Sequence, residues 1–145
     1  MIVKATGDFR WEGVDVLPYK EDGNMFRDVT RQVMLEGQGD LPVEFRYFEV
    51  GPGGHSTLER HEHQHAVMVI RGRGRVLVRD TVSEICCQDI VHIPPMTWHQ
   101  FRAAEDSPLG FLCVVACQRD RPQRPAEKEL EYLRSSEVVN DFIRY

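Results

Sequence analysis

Short β-type segments separated by turn residues fill the middle of the chain, and they limit what it can fold into. The segments are rich in Val, Ile, Phe and Tyr, and some of them alternate apolar with polar residues. The clearest breaks between them are the Gly- and Pro-containing runs at 51–54, 72–74 and 94–95. The predicted strands cover residues 43–50, 56–60, 66–71, 75–79, 82–86, 90–93, 99–103 and 110–116. Short strands without intervening helices predict an all-β sandwich or barrel.

The two ends of the chain are organised differently from this middle region. The N-terminal region contains scattered turn signals and predicts one strand near residues 31–35. Near the C-terminus, residues 126–134 place Leu130 and Leu133 at helical spacing, and a second short helix is predicted over 137–143. We expect both helices to pack on the exterior of the barrel or on a partner subunit.

The chain length and the charge balance exclude several classes of protein. With 145 residues in the chain, residues 1–145 are expected to form a single domain. Eighteen Lys plus Arg against 23 Asp plus Glu give a formal net charge of −5, which argues against a nucleic-acid partner. No apolar run approaches the roughly 20 residues that span a bilayer, and the N-terminus lacks a secretory signal. We therefore expect a soluble, cytoplasmic protein without a membrane partner.

The four cysteines are expected to be reduced thiols. Cys86 and Cys87 are adjacent, while Cys113 and Cys117 lie in the apolar run GFLCVVAC. No Cys-x-x-Cys pair is present, and a chain of this length does not need disulfides to fold. Thiols that pack as small apolar groups are therefore the simplest interpretation.

Histidine and glutamate are concentrated in one short stretch, and a further histidine follows downstream. Glu59, His61, His63 and His65 lie in the sequence ERHEHQH, and His99 follows PPMTW. Positions i and i+2 of a strand face the same side, so Glu59 and His61 point the same way. Imidazole and carboxylate groups bind divalent metals, and histidines from adjoining strands can converge inside a small barrel. The pattern therefore predicts a metal site.

The spacing of these residues resembles the two sequence motifs of the cupin superfamily. The first motif is matched, in order, by Gly53, five residues, Glu59-Arg60-His61, three residues, His65, six residues and Gly72. The second motif matches residues 94–99, with Met96 in the place of its glycine. The resemblance covers about residues 43–116.

The resemblance implies a double-stranded β-helix, the cupin jelly-roll barrel. Its core would cover about residues 43–116, and a short helical tail would cover about residues 125–144. Small single-domain cupins of the cupin-2 type are commonly homodimers, so a homodimer is implied as well. The early apolar residues that suit such a contact are Val29, Val33, Met34 and Leu35.

The chain departs from the usual cupin pattern at several positions. Glu59 stands in the slot of the first histidine and His65 in the slot of the glutamate, so three His and one Glu remain. Ala103 stands where the second motif usually has an asparagine. A rival register takes His61, His63 and His65 as the ligands.

The resemblance implies one divalent transition metal, Mn, Fe, Ni, Cu or Zn, bound by Glu59, His61, His65 and His99. His63 is kept as the alternate ligand. On one unbroken strand, residues 61, 63 and 65 would span about 13 Å at roughly 3.3 Å per residue, too far to share one metal. The chain is therefore expected to turn between residues 61 and 65, with His63 inside the turn.

Strand alternation also predicts the wall of the pocket. Two valines lie on the face of His65, a phenylalanine lies on the face of His99, and a tryptophan in the preceding turn is expected at the mouth. The predicted wall residues are Val67, Val69, Trp98 and Phe101. Because this wall is largely apolar, we expect a small, partly hydrophobic ligand rather than a highly charged sugar phosphate.

Two classes of function stay open at this point. The first is a metal-dependent enzyme, dioxygenase-like or isomerase-like, that acts on a small organic molecule. The second is a non-catalytic cupin module that binds a small molecule or a metal, because a fold does not fix a function. Elemental analysis of the isolated protein and its reactivity toward small substrates would separate the two.

Overall fold

The computed structural model describes residues 1–20, 23 and 25–145 of the chain. Most of the regular structure is strand, as expected from segments rich in β-branched and aromatic residues. The strands are β1 (Ala5–Gly7), β2 (Arg10–Trp11), β3 (Leu17–Pro18), β4 (Arg27–Gln38), β5 (Leu41–His55), β6 (His65–Val78), β7 (Thr81–Cys86), β8 (Ile90–Ile93), β9 (His99–Ala103) and β10 (Leu109–Ala116). The helices are α1 (Glu127–Arg134) and α2 (Glu137–Phe142).

Strand β6 is the central strand of the main sheet, because four other strands pair along its length. Its first half pairs with β8 and β10, and its second half pairs with β7 and β9, all antiparallel. Strand β10 also pairs with β5, which closes the sheet into a barrel, and β4 and β3 follow beyond β5. The predicted all-β cupin-type barrel with a short C-terminal helical tail is confirmed.

Glycines bend the two longest strands where the sequence predicts that strands end. Gly53 has φ of 72° and Gly72 has φ of 65°, values that glycine adopts without strain. At Gly72, strand β6 leaves its pairing with β10, and from Gly74 it pairs with β9. The predicted breaks at 51–54 and 72–74 are therefore wrong as strand ends, because the chain continues through them and changes partner.

Two further predicted elements differ from the observed ones. Residues 56–60 are not a regular strand and take part only in isolated bridges. The predicted strand at 31–35 is part of the longer β4, so the main sheet begins well before residue 43.

The interior of the barrel is filled by side chains from the inward faces of its strands. Among them, Val50, Val69 and Leu109 are 0% exposed. The rings of Phe48 and Phe101 stack on Phe111, with centroid separations of 5.6 and 4.5 Å. Among the described residues, no helix is long and apolar enough to cross a membrane. All four cysteines are free thiols.

The helical tail packs on the exterior of the barrel and forms a second apolar core with it. Helix α1 begins where Glu129 accepts a hydrogen bond from the Ala126 N–H, and helix α2 is capped by Ser136. The residues of this second core are Leu58, Leu77, Trp98, Leu130, Leu133, Val139, Phe142 and Ile143. The two predicted helices are confirmed.

Polar contacts from β9 reinforce this packing. The Gln100 side chain donates to the Arg144 carbonyl at 2.7 Å and accepts from the Arg144 N–H at 2.9 Å. The Arg102 guanidinium donates to the Phe142 carbonyl at 2.6 Å, and Arg75 and Arg102 both lie over the Phe142 ring. Strand β9 is therefore attached to the end of the tail.

Replacing Phe142 with alanine is expected to lower the free energy of unfolding by about 3–5 kcal/mol, since the ring is 0% exposed in the second core. Val138→Ala in the same helix is the control, because Val138 is 62% exposed and its loss should change stability by no more than about 0.5 kcal/mol. Urea denaturation followed by circular dichroism measures both. Equal effects of the two substitutions would show that the Phe142 ring does not contribute to the second core.

Candidate metal centre

Backbone hydrogen bonds place Glu59 beside His99. The Glu59 N–H donates to the His99 carbonyl at 3.2 Å, and the His99 N–H donates to the Glu59 carbonyl at 3.0 Å. Two residues that exchange both hydrogen bonds in this antiparallel way carry their side chains on the same side. The carboxylate and the imidazole therefore enter the same end of the barrel.

The chain turns between this bridge and the start of β6. It bends at Glu62 and His63, and His65 then pairs with Ile93 of β8. The Met96 N–H donates to the His61 carbonyl at 2.7 Å, which ties the turn to the loop before β9. This turn lies where the sequence predicts it, between residues 61 and 65, and it brings side chains together that an unbroken strand would separate.

Five side chains meet at this point: Glu59, His61, His63, His65 and His99. Their potential ligand atoms form two overlapping groups that share His61, and within each group they lie within 4.8 Å of one another. One group contains His63 and His65, and the other contains Glu59 and His99. Measured from the His61 ring, the ring centroids of the three other histidines lie 3.6, 4.7 and 4.8 Å away.

The inner histidines are oriented by contacts of their Nδ1 atoms. In His61 this atom lies 2.6 Å from the His63 carbonyl, and in His99 it lies 2.9 Å from the Thr97 carbonyl. Because a carbonyl only accepts hydrogen bonds, Nδ1 carries the proton and Nε2 has the free lone pair. The Nε2 atoms of His61 and His65 are buried, and neither has a hydrogen-bond partner within the described part of the chain. A divalent metal fits this donor set, since it would satisfy these buried lone pairs.

Burial keeps these imidazoles neutral. Desolvation, together with the neighbouring His99 and His63, lowers the pKa of His61 to about 4. Desolvation also lowers the pKa of His65 and of His99 below the ordinary histidine value. Neutral imidazole is the form that binds a metal, so the protein holds these side chains ready for that role at neutral pH.

His63 lies in the bend and is held by Asp120. The Asp120 carboxylate accepts hydrogen bonds from the Glu62 N–H at 2.9 Å, from the His63 N–H at 3.1 Å and from the His63 side chain at 2.7 Å. The hydrogen bond from the Glu62 N–H, followed by the hydrogen bonds and the electrostatic interaction with His63, lowers the pKa of Asp120. The His63 side chain is only 9% exposed and stacks on the His61 ring. The remaining histidines, His55 and His92, are not part of this cluster.

The cavity beside the cluster has a wall different from the predicted one. Phe101 lines it, together with Phe48 and Phe111. Val67 and Val69 do point into the barrel, but they are buried deeper in its apolar core and do not line the cavity. Alternation along a strand gives the face of a residue but not its depth.

The sequence predicts Trp98 at the mouth of the cavity, but the structure places it elsewhere. Its side chain belongs to the second core, under the helical tail, and the Arg60 guanidinium lies 4.4 Å from its ring. The turn before β9 directs Trp98 and His99 in opposite directions, so a neighbour of a site residue in sequence is not a neighbour in space.

Charged and polar side chains complete the cavity wall, and sequence reasoning did not find them. They are Tyr19, Lys20, Arg31, Arg46, Ser56, Arg119 and Asp120. The predicted apolar wall is therefore incomplete, because Lys20, Arg31, Arg46 and Arg119 also face the cavity. The position of Arg46 could have been predicted, because residues two apart on a strand share a face and Arg46 is two residues before Phe48 on β5. Lys20 and Asp120 come from segments outside the predicted strands and gave no such signal.

Lys20 makes an ion pair with the candidate ligand Glu59. The Lys20 ammonium lies 2.5 Å from the Glu59 carboxylate, with side-chain exposures of 32% and 7%. The ion pair compensates a carboxylate that would otherwise be buried among neutral imidazoles.

Comparison with known proteins identifies the family. Residues 46–115 match the family described as Cupin domain. Over 136 residues the chain is 55% identical to the 1-methylthio-D-xylulose 5-phosphate methylsulfurylase of Rhodospirillum rubrum, with 93% of this chain and 86% of that protein covered. The chain belongs to the cupin superfamily. The resemblance seen in the sequence motifs of this cupin is confirmed.

Solved structures of other cupins superpose on nearly the whole chain. A cupin 2 conserved barrel domain protein from Rhodopseudomonas palustris has a TM-score of 0.93 and 52% identity, and the match covers 100% of both chains. A cupin-2 domain from Rhodospirillum rubrum has a TM-score of 0.88 and 54% identity, covering 94% of this cupin and 91% of that chain. The N-terminal strands and the helical tail of this cupin are therefore part of a shared fold.

Replacing Asp120 with alanine is expected to loosen the bend that carries His63, because two backbone amides lose their acceptor. The amide protons of Glu62 and His63 should exchange with solvent at least about tenfold faster, as measured by NMR hydrogen exchange. Asp106→Ala is the matched control, since the Asp106 carboxylate accepts a hydrogen bond from the Arg73 side chain and lies outside this bend. Unchanged exchange at both amides would show that other contacts hold the bend.

Proposed function

We propose that this cupin is a metal-dependent enzyme that acts on a methylthio ketose phosphate. The observation that carries the proposal is the 55% identity, along 93% of the chain, to a protein named for 1-methylthio-D-xylulose 5-phosphate. The cluster of neutral imidazoles with one carboxylate supports the metal-dependent part. The mixed apolar and basic cavity next to this cluster supports a ligand with both an apolar and an anionic end.

The chemistry of such a substrate suits this site. Xylulose has its carbonyl at C2, so a methylthio group on C1 lies beside the carbonyl and the phosphate lies at the other end. A divalent metal, when bound, polarises a carbonyl as a Lewis acid. The histidines and Glu59 would hold the metal, and the phenylalanines of the cavity would limit the access of water to it. A carbonyl beside the methylthio-bearing carbon favours carbonyl activation over a dioxygenase-like reaction.

We further propose that the metal is bound by Glu59, His61, His65 and His99, and not by His63. A metal on a histidine nitrogen lies close to the plane of that ring. The rings of His61 and His63 are stacked 3.6 Å apart with an angle of only 6° between them, whereas the His65 ring is inclined by 18° to His61 and by 57° to His99. His63 is therefore less well placed than His65 to share a metal with His61.

Metal binding through Glu59 would replace the ion pair that this carboxylate makes with Lys20. The Lys20 ammonium would then be available to the cavity that it lines. Loading the metal would therefore add the positive charge of the ion to the cavity and leave the Lys20 ammonium free to contact an anionic group.

We also propose that residues 1–145 form one domain and work as a homodimer in the cytoplasm. Met68 and Ile90, which pair across β6 and β8, are 39% and 76% exposed and offer an apolar surface for a second copy. The four free thiols are typical of a reducing compartment. The net charge of −5 supports a protein without a nucleic-acid partner.

The proposed ligand set predicts which substitutions remove the metal. His99→Ala is expected to abolish stoichiometric metal, and Glu59→Gln is expected to weaken metal affinity at least about tenfold, since each removes one ligand. His63→Ala should retain the metal, because the His63 ring lies nearly parallel to that of His61 and is poorly placed to share an ion with it. Titration of the metal-free variants with Zn²⁺ and Mn²⁺, with elemental analysis after dialysis, measures these affinities.

The control for this experiment is His55→Ala, whose side chain contacts the Ser56 carbonyl outside the cluster. It should bind as much metal as the unaltered protein. Loss of metal in His63→Ala together with retention in Glu59→Gln would reverse the assignment in favour of the rival ligand set.

The proposed activity predicts that the metal-loaded protein activates the ketose carbonyl. In D₂O, protons on the carbons next to the carbonyl of 1-methylthio-D-xylulose 5-phosphate should exchange at least about a hundredfold faster than with metal-free protein. Proton NMR measures the exchange and any consumption of the compound, with the Mn, Fe, Ni, Cu and Zn forms tested separately. If no metal form promotes exchange or consumption, the non-catalytic module becomes the better description.

A further inference from the structure

We propose that Arg31 and Arg46 form a binding site for a phosphate group inside the cavity. The identity of the ligand, a sugar phosphate, rests on the proposed function. The site itself rests on the position, burial and charge of the two arginines.

The two arginines come from adjacent strands, and both are neighbours of Phe48. Arg31 on β4 is directly opposite Phe48 on β5 in the register of the two strands. Arg46 precedes Phe48 by two residues, and its guanidinium carbon lies 5.0 Å from the centre of the Phe48 ring. All three side chains line the cavity that the histidine and glutamate side chains of the candidate metal centre also line. The sheet therefore presents two guanidinium groups to the same space.

Both guanidinium groups have hydrogen-bonding capacity that the protein does not use. The Nε atoms of Arg31 and Arg46 are buried, and neither has a hydrogen-bond partner among residues 1–20, 23 and 25–145. Arg46 is only 7% exposed, so water gives it little compensation. A buried donor without an acceptor is unfavourable, and phosphate oxygens are the acceptors that guanidinium groups bind best.

The charges around the cavity also leave room for an anion. Lys20 is paired with Glu59 at 2.5 Å, and Arg119 is paired with Glu44 at 2.9 Å. Arg46 lies 3.7 Å from this same Glu44, so one carboxylate faces two arginines.

Arg31 has no ion pair within the described residues, which adds a further uncompensated positive charge. Positive charge at a partly buried wall is unfavourable unless an opposite charge compensates it. A phosphate dianion would supply that charge.

The position of Arg46 relates this anion site to the metal cluster. Its Nη2 lies 3.5 Å from the Cys113 sulfur, and this sulfur lies 3.5 Å from Nδ1 of His65. Nε2, the atom of His65 that is free for a metal, is the other nitrogen of this ring. Arg46 and His65 line the same cavity with the Cys113 sulfur between them, so a ligand with a carbonyl at one end and a phosphate at the other could contact both groups.

Binding of inorganic phosphate to the metal-free protein tests the site without depending on turnover. Isothermal titration calorimetry should detect one phosphate per chain, and Arg31→Gln and Arg46→Lys should each weaken its affinity at least about tenfold. Arg134→Gln is the control, because Arg134 is exposed on α1 and does not line the cavity. Circular dichroism checks that each variant is folded. Should Arg31→Gln fail to fold, Arg31→Lys decides, since it keeps the charge but removes the Nε donor.

The outcomes separate this inference from the proposed function. Absence of phosphate binding, or equal binding by all variants, overturns the site even if the methylthio sugar phosphate is consumed. Phosphate binding that depends on Arg31 supports the site even if no carbonyl activation is found, and the proposed function then fails alone. Where both hold, Arg31→Gln should raise KM for the sugar phosphate at least about tenfold and change kcat less.

Discussion

Two backbone hydrogen bonds between Glu59 and His99 bring together the distant segments on which the site depends. One segment leads into β6 and the other begins β9, and β9 pairs with the second half of β6. Without the bridge, the carboxylate and the imidazole would enter the barrel from unrelated directions. The Met96 N–H bond to the His61 carbonyl joins the same two segments a second time. The position of the cluster is thus fixed by main-chain geometry more than by contacts between its side chains.

The interior that surrounds this cluster combines two electrostatic conditions that usually exclude each other. The imidazoles stay neutral because burial disfavours their charged form. In the same cavity, Arg31 and Arg46 each have a buried Nε atom that finds no hydrogen-bond partner in the described part of the chain. Glu44 compensates part of the charge of Arg46, and Glu59 compensates that of Lys20. The cavity is therefore prepared for a cation at one place and for an anion at another.

Much of the fold could be predicted from the sequence, because strand periodicity and the histidine spacing depend on local geometry alone. The bends at Gly53 and Gly72 could not be predicted from local sequence. Each glycine permits a turn, but in the folded sheet it lies at a bend of a strand that continues. Val67 and Trp98 show the same limit in the site, since depth and direction depend on packing against distant elements. The cation at Lys20 could not be found from its own neighbours, as its partner is 39 residues away in sequence.

The attachment of β9 to the end of the tail has a thermodynamic consequence for the whole protein. Gln100, the residue after His99, holds the backbone of Arg144 through two hydrogen bonds. Docking of the tail and placement of the His99 imidazole are therefore coupled equilibria, and coupling of this kind is reciprocal. Any ligand that needs His99 in place also fastens the last residues of the chain. A tag or a deletion at the C-terminus would in turn change the affinity of the barrel interior for such a ligand.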